Sequence, residues 1–192
     1  MKKKVFAVSV IMLCLAIVAG GTAAYFTATD TAHNVITTGS VDIEVVEKQE
    51  VDGVLVDYPD KPIDRVMPGA SISKIVTLEN TGTGDAWVRV RVDKNIKMKD
   101  AKDPADPELL TLDYNTQDWA EKDGWFYYRK PLPVGQATTP LFQSVKVSAD
   151  MDNPYQGSSF HITVNAQAVQ VKNNPLPDSG DFSLIPGWPV NP

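Results

Sequence analysis

Ala86-Trp87-Val88-Arg89-Val90-Arg91-Val92-Asp93 decides the fold class. Alternate residues of a pleated strand point to opposite faces. Ala86, Val88, Val90 and Val92 therefore share one face, and Trp87, Arg89, Arg91 and Asp93 the other. Ser159 to Gln167 repeats the period, with Phe160, Ile162, Val164 and Ala166 set against His161, Thr163, Asn165 and Gln167. The phase then flips, because Val169 and Val171 are apolar at odd positions, and a bulge near Ala168 is the expected cause. Arg89 and Arg91 read as one outward face that discourages edge pairing, with a ligand patch beside Trp87 as the other reading.

Outward from these two segments lie further strand candidates at 41–46, 54–58, 72–79, 125–130 and 141–148. Turn signals separate them: Asn80-Thr81-Gly82-Thr83-Gly84-Asp85 joins two strands, and Asp123-Gly124 reads as a tight hairpin before Trp125. The chain has 14 prolines, and those within the domain fall mostly between the apolar runs, where a missing N–H costs no ladder bond. Only Asp106-Pro107-Glu108-Leu109-Leu110 resembles a helix start, with Asp106 as cap and Pro107 in the first turn. Seven or eight short strands with turns about every dozen residues predict an all-β fold, a single antiparallel β-sandwich that is jelly-roll-like. The sandwich is placed at 39–172. An N-terminal arm occupies 25–38, and a Pro-rich, extended tail occupies 173–192, both outside the core.

The first 24 residues have a different character. Lys2, Lys3 and Lys4 precede an apolar run from Val5 to Val18, and Gly20-Gly21-Thr22-Ala23-Ala24 follows. A basic start, a short apolar stretch and small residues make a secretory signal peptide, and the run is shorter than the roughly 20 residues of a membrane span. Cleavage is placed after Ala24, with Thr22 and Ala24 as the small residues and Tyr25 as the new N-terminus; a cut after Ala23 is the neighbouring alternative. Cys14 follows Leu13 inside the apolar run, which is not the setting of a lipid anchor. No other cysteine exists, so a secreted chain of this kind depends on core packing without disulfides.

The whole chain carries a net charge of −6. Residues 1–24 hold three lysines and no acid, leaving 15 basic and 24 acidic residues in the remainder, a net of −9. That balance argues against nucleic acid or an anionic membrane as partner, since both need a basic footprint. Catalytic patterns are missing: there is no His-Glu-x-x-His helix, no Gly-x-Ser-x-Gly elbow and no phosphate-cradling glycine loop. His33 and His161 are the only histidines. With His33 on the arm and His161 on a polar strand face, the reading is of no catalytic residues, no metal site and no cofactor. Asp100 to Glu108 places four carboxylates in a proline-rich loop but lacks EF-hand spacing, so it reads as a solvated loop with calcium binding as the alternative. Leu176-Pro177-Asp178-Ser179-Gly180 looks like a variant sortase pentapeptide, yet Asp181 to Pro192 supplies neither an apolar span nor a basic tail.

Gly20-Gly21-Thr22-Ala23-Ala24-Tyr25-Phe26, then Asn34 and Gly39-Ser40-Val41-Asp42-Ile43, resembles the leader and first strand of the TasA/camelysin family. The resemblance continues through Pro68-Gly69, Val76 to Thr83, Trp87-Val88-Arg89-Val90, Asp123 to Tyr128 and Ala166 to Gln170, and is nearest to the clostridial BsaA-like branch. It implies an exported Gram-positive protein whose leader is cut by the dedicated signal peptidase SipW. It also implies a jelly-roll subunit of the extracellular biofilm matrix, polymerising into fibres. Its partners would be other copies of itself, head to tail, that peptidase, and other matrix components. In this family the freed N-terminal segment is thought to complete the next subunit's sheet, and Tyr25, Phe26, Val35 and Ile36 are the expected anchors of that arm. Two readings of other classes stand beside it: a monomeric cell-surface adhesin, and a camelysin-like metalloendopeptidase, for which the zinc-binding helix is missing.

Overall fold

A computed structural model describes residues 34–38, 41–59, 67–98, 105–151, 155 and 158–189. All belong to one unit, Thr31–Pro59 together with Ile63–Pro192. Its ten strands are β1 (Asn34–Thr38), β2 (Ile43–Val51), β3 (Val54–Asp57), β4 (Ser71–Asn80) and β5 (Ala86–Lys97), then β6 (Leu110–Leu112), β7 (Trp119–Lys122), β8 (Trp125–Tyr128), β9 (Phe142–Val147) and β10 (Ser159–Gln170). They form two five-stranded sheets, ordered β1-β10-β5-β8-β7 and β3-β2-β4-β9-β6. Every pairing is antiparallel except β1 with β10. The expected all-β antiparallel sandwich is what the chain adopts.

The core lies between the sheets and is built from the apolar alternates. Val88, Val90, Val164, Ala166 and Ala168 from the first sheet meet Val76, Leu78, Phe142, Val145 and Val147 from the second. Tyr114 closes one side, stacked on Phe126 at 4.2 Å and edge-on to Phe142 at 6.0 Å. Asn80, fully buried, organises the turn that carries the chain between sheets. Its Nδ2 donates to the carbonyls of Gly84 (3.0 Å) and Leu132 (2.9 Å), and its Oδ1 accepts from Gly82 N–H (3.0 Å). Asp123-Gly124 makes the expected two-residue hairpin, with φ of 53° and 75°. Asp52-Gly53 makes a second one between β2 and β3, with φ of 53° and 79°. Positive φ at both central positions is what a type I′ turn needs, and glycine supplies one of them without a Cβ penalty.

Three expectations are corrected. The bulge near Ala168 is absent: β10 runs in unbroken register with β5 from Ser159–Lys97 to Gln170–Ala86. The irregularity sits instead on β4, between Ser73 and Val76 opposite β9. Secondly, β5 is not an edge but the middle strand of its sheet, so Arg89 and Arg91 guard nothing. Thirdly, the proposed helix start is a single 3₁₀ turn, Pro107–Leu109, with Asp106 as cap accepting from Glu108 N–H (2.9 Å). β6 and β7 were not among the sequence candidates; three and four residues are too few to establish a period.

The tail explains the phase flip. Residues 171–189 form no strand, but they fold back as a strap across the outer face of the first sheet. Trp87, Val169 and Ile185 make a second, smaller apolar cluster, with Val171, Leu176, Phe182 and Trp188 packed against it. Val169 is therefore apolar on the outward face because a cover exists there. Trp87 Nε1 donates to the Asn174 carbonyl (2.9 Å), and Asn174 Nδ2 donates to the Gln170 carbonyl (2.8 Å). Leu176-Pro177-Asp178-Ser179-Gly180 lies within the strap, where Gly180 N–H turns back to the Pro177 carbonyl at 2.8 Å.

Candidate functional site

The arm expected to lie outside the core does not do so over the residues that the structure describes: 34–38 form β1, an edge strand of the first sheet, because β10 offers a free flank to pair with. Val35, Ile36, Thr37 and Thr38 are all β-branched, a composition that favours extended backbone. The strand lies parallel to β10 in the register Asn34–Asn165, Val35–Ala166, Ile36–Gln167, Thr37–Ala168 and Thr38–Val169. Among the described residues it is the edge of its sheet, with β10 as its one strand neighbour. Parallel ladders have slanted bonds and hold slightly less well per residue than antiparallel ones. Val35 and Ile36 remain 37% and 38% exposed. Of the expected site residues, Val35 and Ile36 are thus brought side by side onto one exposed edge. Thr22, Ala24, Tyr25 and Phe26 lie outside the described residues.

The strand that receives β1 is braced from its other face. Gln167, opposite Ile36, is buried, and its Oε1 accepts from Arg89 Nε (2.9 Å) and Nη2 (2.6 Å). Arg89 Nη2 also donates to the Pro189 carbonyl (3.1 Å), and Nη1 lies 3.3 Å from Tyr127 Oη. The guanidinium lies over two indoles, 4.2 Å from the Trp125 ring centre and 4.7 Å from that of Trp188. Sequence reasoning placed Arg89 on an outward face, which is right, and missed its partners, because Trp188 is 99 residues away along the chain.

The other sheet has an apolar edge that sequence reasoning did not single out. On the β2–β3 hairpin, Val51, Val54, Leu55 and Val56 are 46%, 61%, 57% and 39% exposed. β2 pairs with β4 only as far as Lys48–Ile75, after which the hairpin's ladder is with its own second strand. At its base a buried ion pair joins Glu47 to Lys74, whose ammonium lies 3.8 Å above the Tyr58 ring. Burial lowers the Lys74 pKa, against the attraction of Glu47. The signal for this edge was available, since Val54-Leu55-Val56 follows an Asp-Gly turn; its exposure on both faces was not.

Metal chemistry finds no donor set here. Among the described residues no three His, Cys, Asp or Glu side chains come together to hold an ion. His161 pairs across the ladder with Asn95, and its ring Nε2 is 3.4 Å from Ser159 Oγ. His33, Asp100 and Asp103 lie outside the described residues. Asp106 caps the 3₁₀ turn, and Glu108 pairs with Lys94 at 3.0 Å.

These features define a class: an all-β sandwich with exposed apolar edge strands and, among the described residues, no clustered metal donors. Residues 1–117 match the family model described as camelysin metallo-endopeptidase, and the chain belongs to that TasA/camelysin family. The match takes in β1 to β6 and stops before β7, so the strap lies beyond it. No curated protein and no solved structure is similar enough to count as a match. The described residues bring together no donor set that fits the metal the family's description implies.

Proposed function

We propose that the chain is a secreted structural subunit that polymerises head to tail into fibres of an extracellular matrix and is not an enzyme. Its arm adds as a strand to a neighbour's sheet. The observation that carries this reading is β1 itself: a five-residue parallel edge strand, attached to one neighbour, with Val35 and Ile36 exposed. A strand added across an open edge gains main-chain hydrogen bonds, and its alternate side chains give specificity. A dedicated signal peptidase cutting after Ala24 frees that arm, which makes processing the trigger of assembly. Other matrix components are further partners, and the net charge of −9 after the leader suits neither nucleic acid nor an anionic membrane.

The test is to purify the naturally processed protein, sequence its N-terminus and image it by electron microscopy. Filaments are expected from the processed chain. Deletion of residues 25–38 is expected to abolish them while leaving a folded monomer, and undiminished filaments after that deletion overturn the proposal. The family's description favours one rival, a metalloendopeptidase. Casein hydrolysis that disappears on chelation and on His161→Ala would establish that rival instead.

A further inference from the structure

Among the described residues, two of the four sheet edges are guarded and two are not. β6 is three residues long, and Lys94 Nζ reaches across to the Leu110 carbonyl (2.9 Å). β7 carries Glu121 and Lys122 in its four residues. Short length and charge are the usual protections of an edge against pairing with another chain. β1 has no charged residue, and β3 has only Asp57 at its end. The unguarded edges are thus one per sheet, and both expose large apolar side chains: Val35 and Ile36 on β1, Val54, Leu55 and Val56 on β3.

Charge selects the pairing between them. The hairpin bearing β3 carries Glu50, Asp52 and Asp57 against Lys48, so two such hairpins brought together repel. The neutral Asn34–Thr38 strand meets no such penalty, and its five residues are enough to span the four of β3. A contact between two different edges is heterologous, and repeated with a rotation that does not close into a ring it gives an open filament. β1 also has two backbone edges, of which β10 uses one.

We propose that the outer edge of β1, while still seated on β10, pairs with the β3 edge of a second copy. The first sheet of one subunit then runs into the second sheet of the next. This rests on the fibre reading above and names the acceptor that reading requires.

The experiment uses the naturally processed protein and compares three forms with wild type. Leu55→Lys and, separately, Val54→Lys are expected to raise the concentration at which polymer sediments by about tenfold, with sheet circular dichroism unchanged because both side chains are exposed. A double variant, Thr37→Cys with Ala168→Cys, ties β1 to β10 through neighbouring ladder positions. No native cysteine follows Cys14, so the bridge has no competitor in the processed chain. The oxidised form is expected to polymerise like its own reduced form. Polymer unaffected by both lysine variants overturns the β3 acceptor while leaving the fibre reading intact. Polymer lost on oxidation and regained on reduction overturns the seated strand, because the arm must then leave β10. A wild-type chain that never polymerises removes the fibre reading and this inference together.

Discussion

Arg89 illustrates how a single side chain can be placed correctly by periodicity and still be misjudged. Its outward direction follows from alternation along β5, but its burial follows from the strap. Once covered, a guanidinium must satisfy its donors, and Gln167, Tyr127 and the Pro189 carbonyl do so while its carbon lies over the Trp125 and Trp188 rings. Arg89→Ala removes all of these and leaves the Gln167 amide oxygen buried. It is expected to lower unfolding stability by about 3 kcal/mol in urea titration. Arg89→Lys should recover only part of that, since an ammonium offers neither the fork geometry nor the planar stack.

At the scale of elements, β10 and the strap depend on each other. The outward apolar residues of β10 are intelligible only as the floor under Leu176, Phe182, Ile185 and Trp188. The strap is pinned at its middle by Asp181, which accepts from Ser183 N–H (3.0 Å) and Lys122 Nζ (2.5 Å). The hydrogen bond from Lys122, then those from Ser183, hold the Asp181 carboxyl down to about 2. A folded-state pKa below the ordinary value of 3.8 means that this anchoring is present above about pH 4 and is lost as pH falls through about 2. Tryptophan emission should therefore shift to the red between pH 4 and pH 2, as Trp87 and Trp188 lose their cover. In Asp181→Asn that acid transition should be absent. The strap was legible as extended from its prolines; its docking was not, because no local pattern says which face of which strand a coil segment will cover.

For the whole molecule, the proposed head-to-tail joining couples folding to assembly. A polymer that only folded subunits can enter stabilises the folded state by mass action, so the melting temperature of the processed chain should rise with protein concentration. Leu55→Lys should flatten that dependence, and a wild-type melt independent of concentration would count against assembly in solution. The long strands were readable in the sequence because seven or more alternating residues outweigh local noise, as β5 and β10 demonstrate. β1 was visible as an arm but not as a seated strand. Its partner lies some 130 residues downstream, and parallel pairing leaves no turn signature to mark it.

The sequence by itself determined the fold class, the inward faces of the long strands, the Asp123-Gly124 hairpin and the family. These depend on period, glycine placement and local composition, all written within a dozen residues. Only the tertiary structure decided that β5 is central, that the tail buries Trp87 and Arg89, and that the unguarded edges are β1 and β3. Those outcomes depend on which distant segments compete for the same surface, and alternation is identical whether a strand's flank ends up paired, covered or bare.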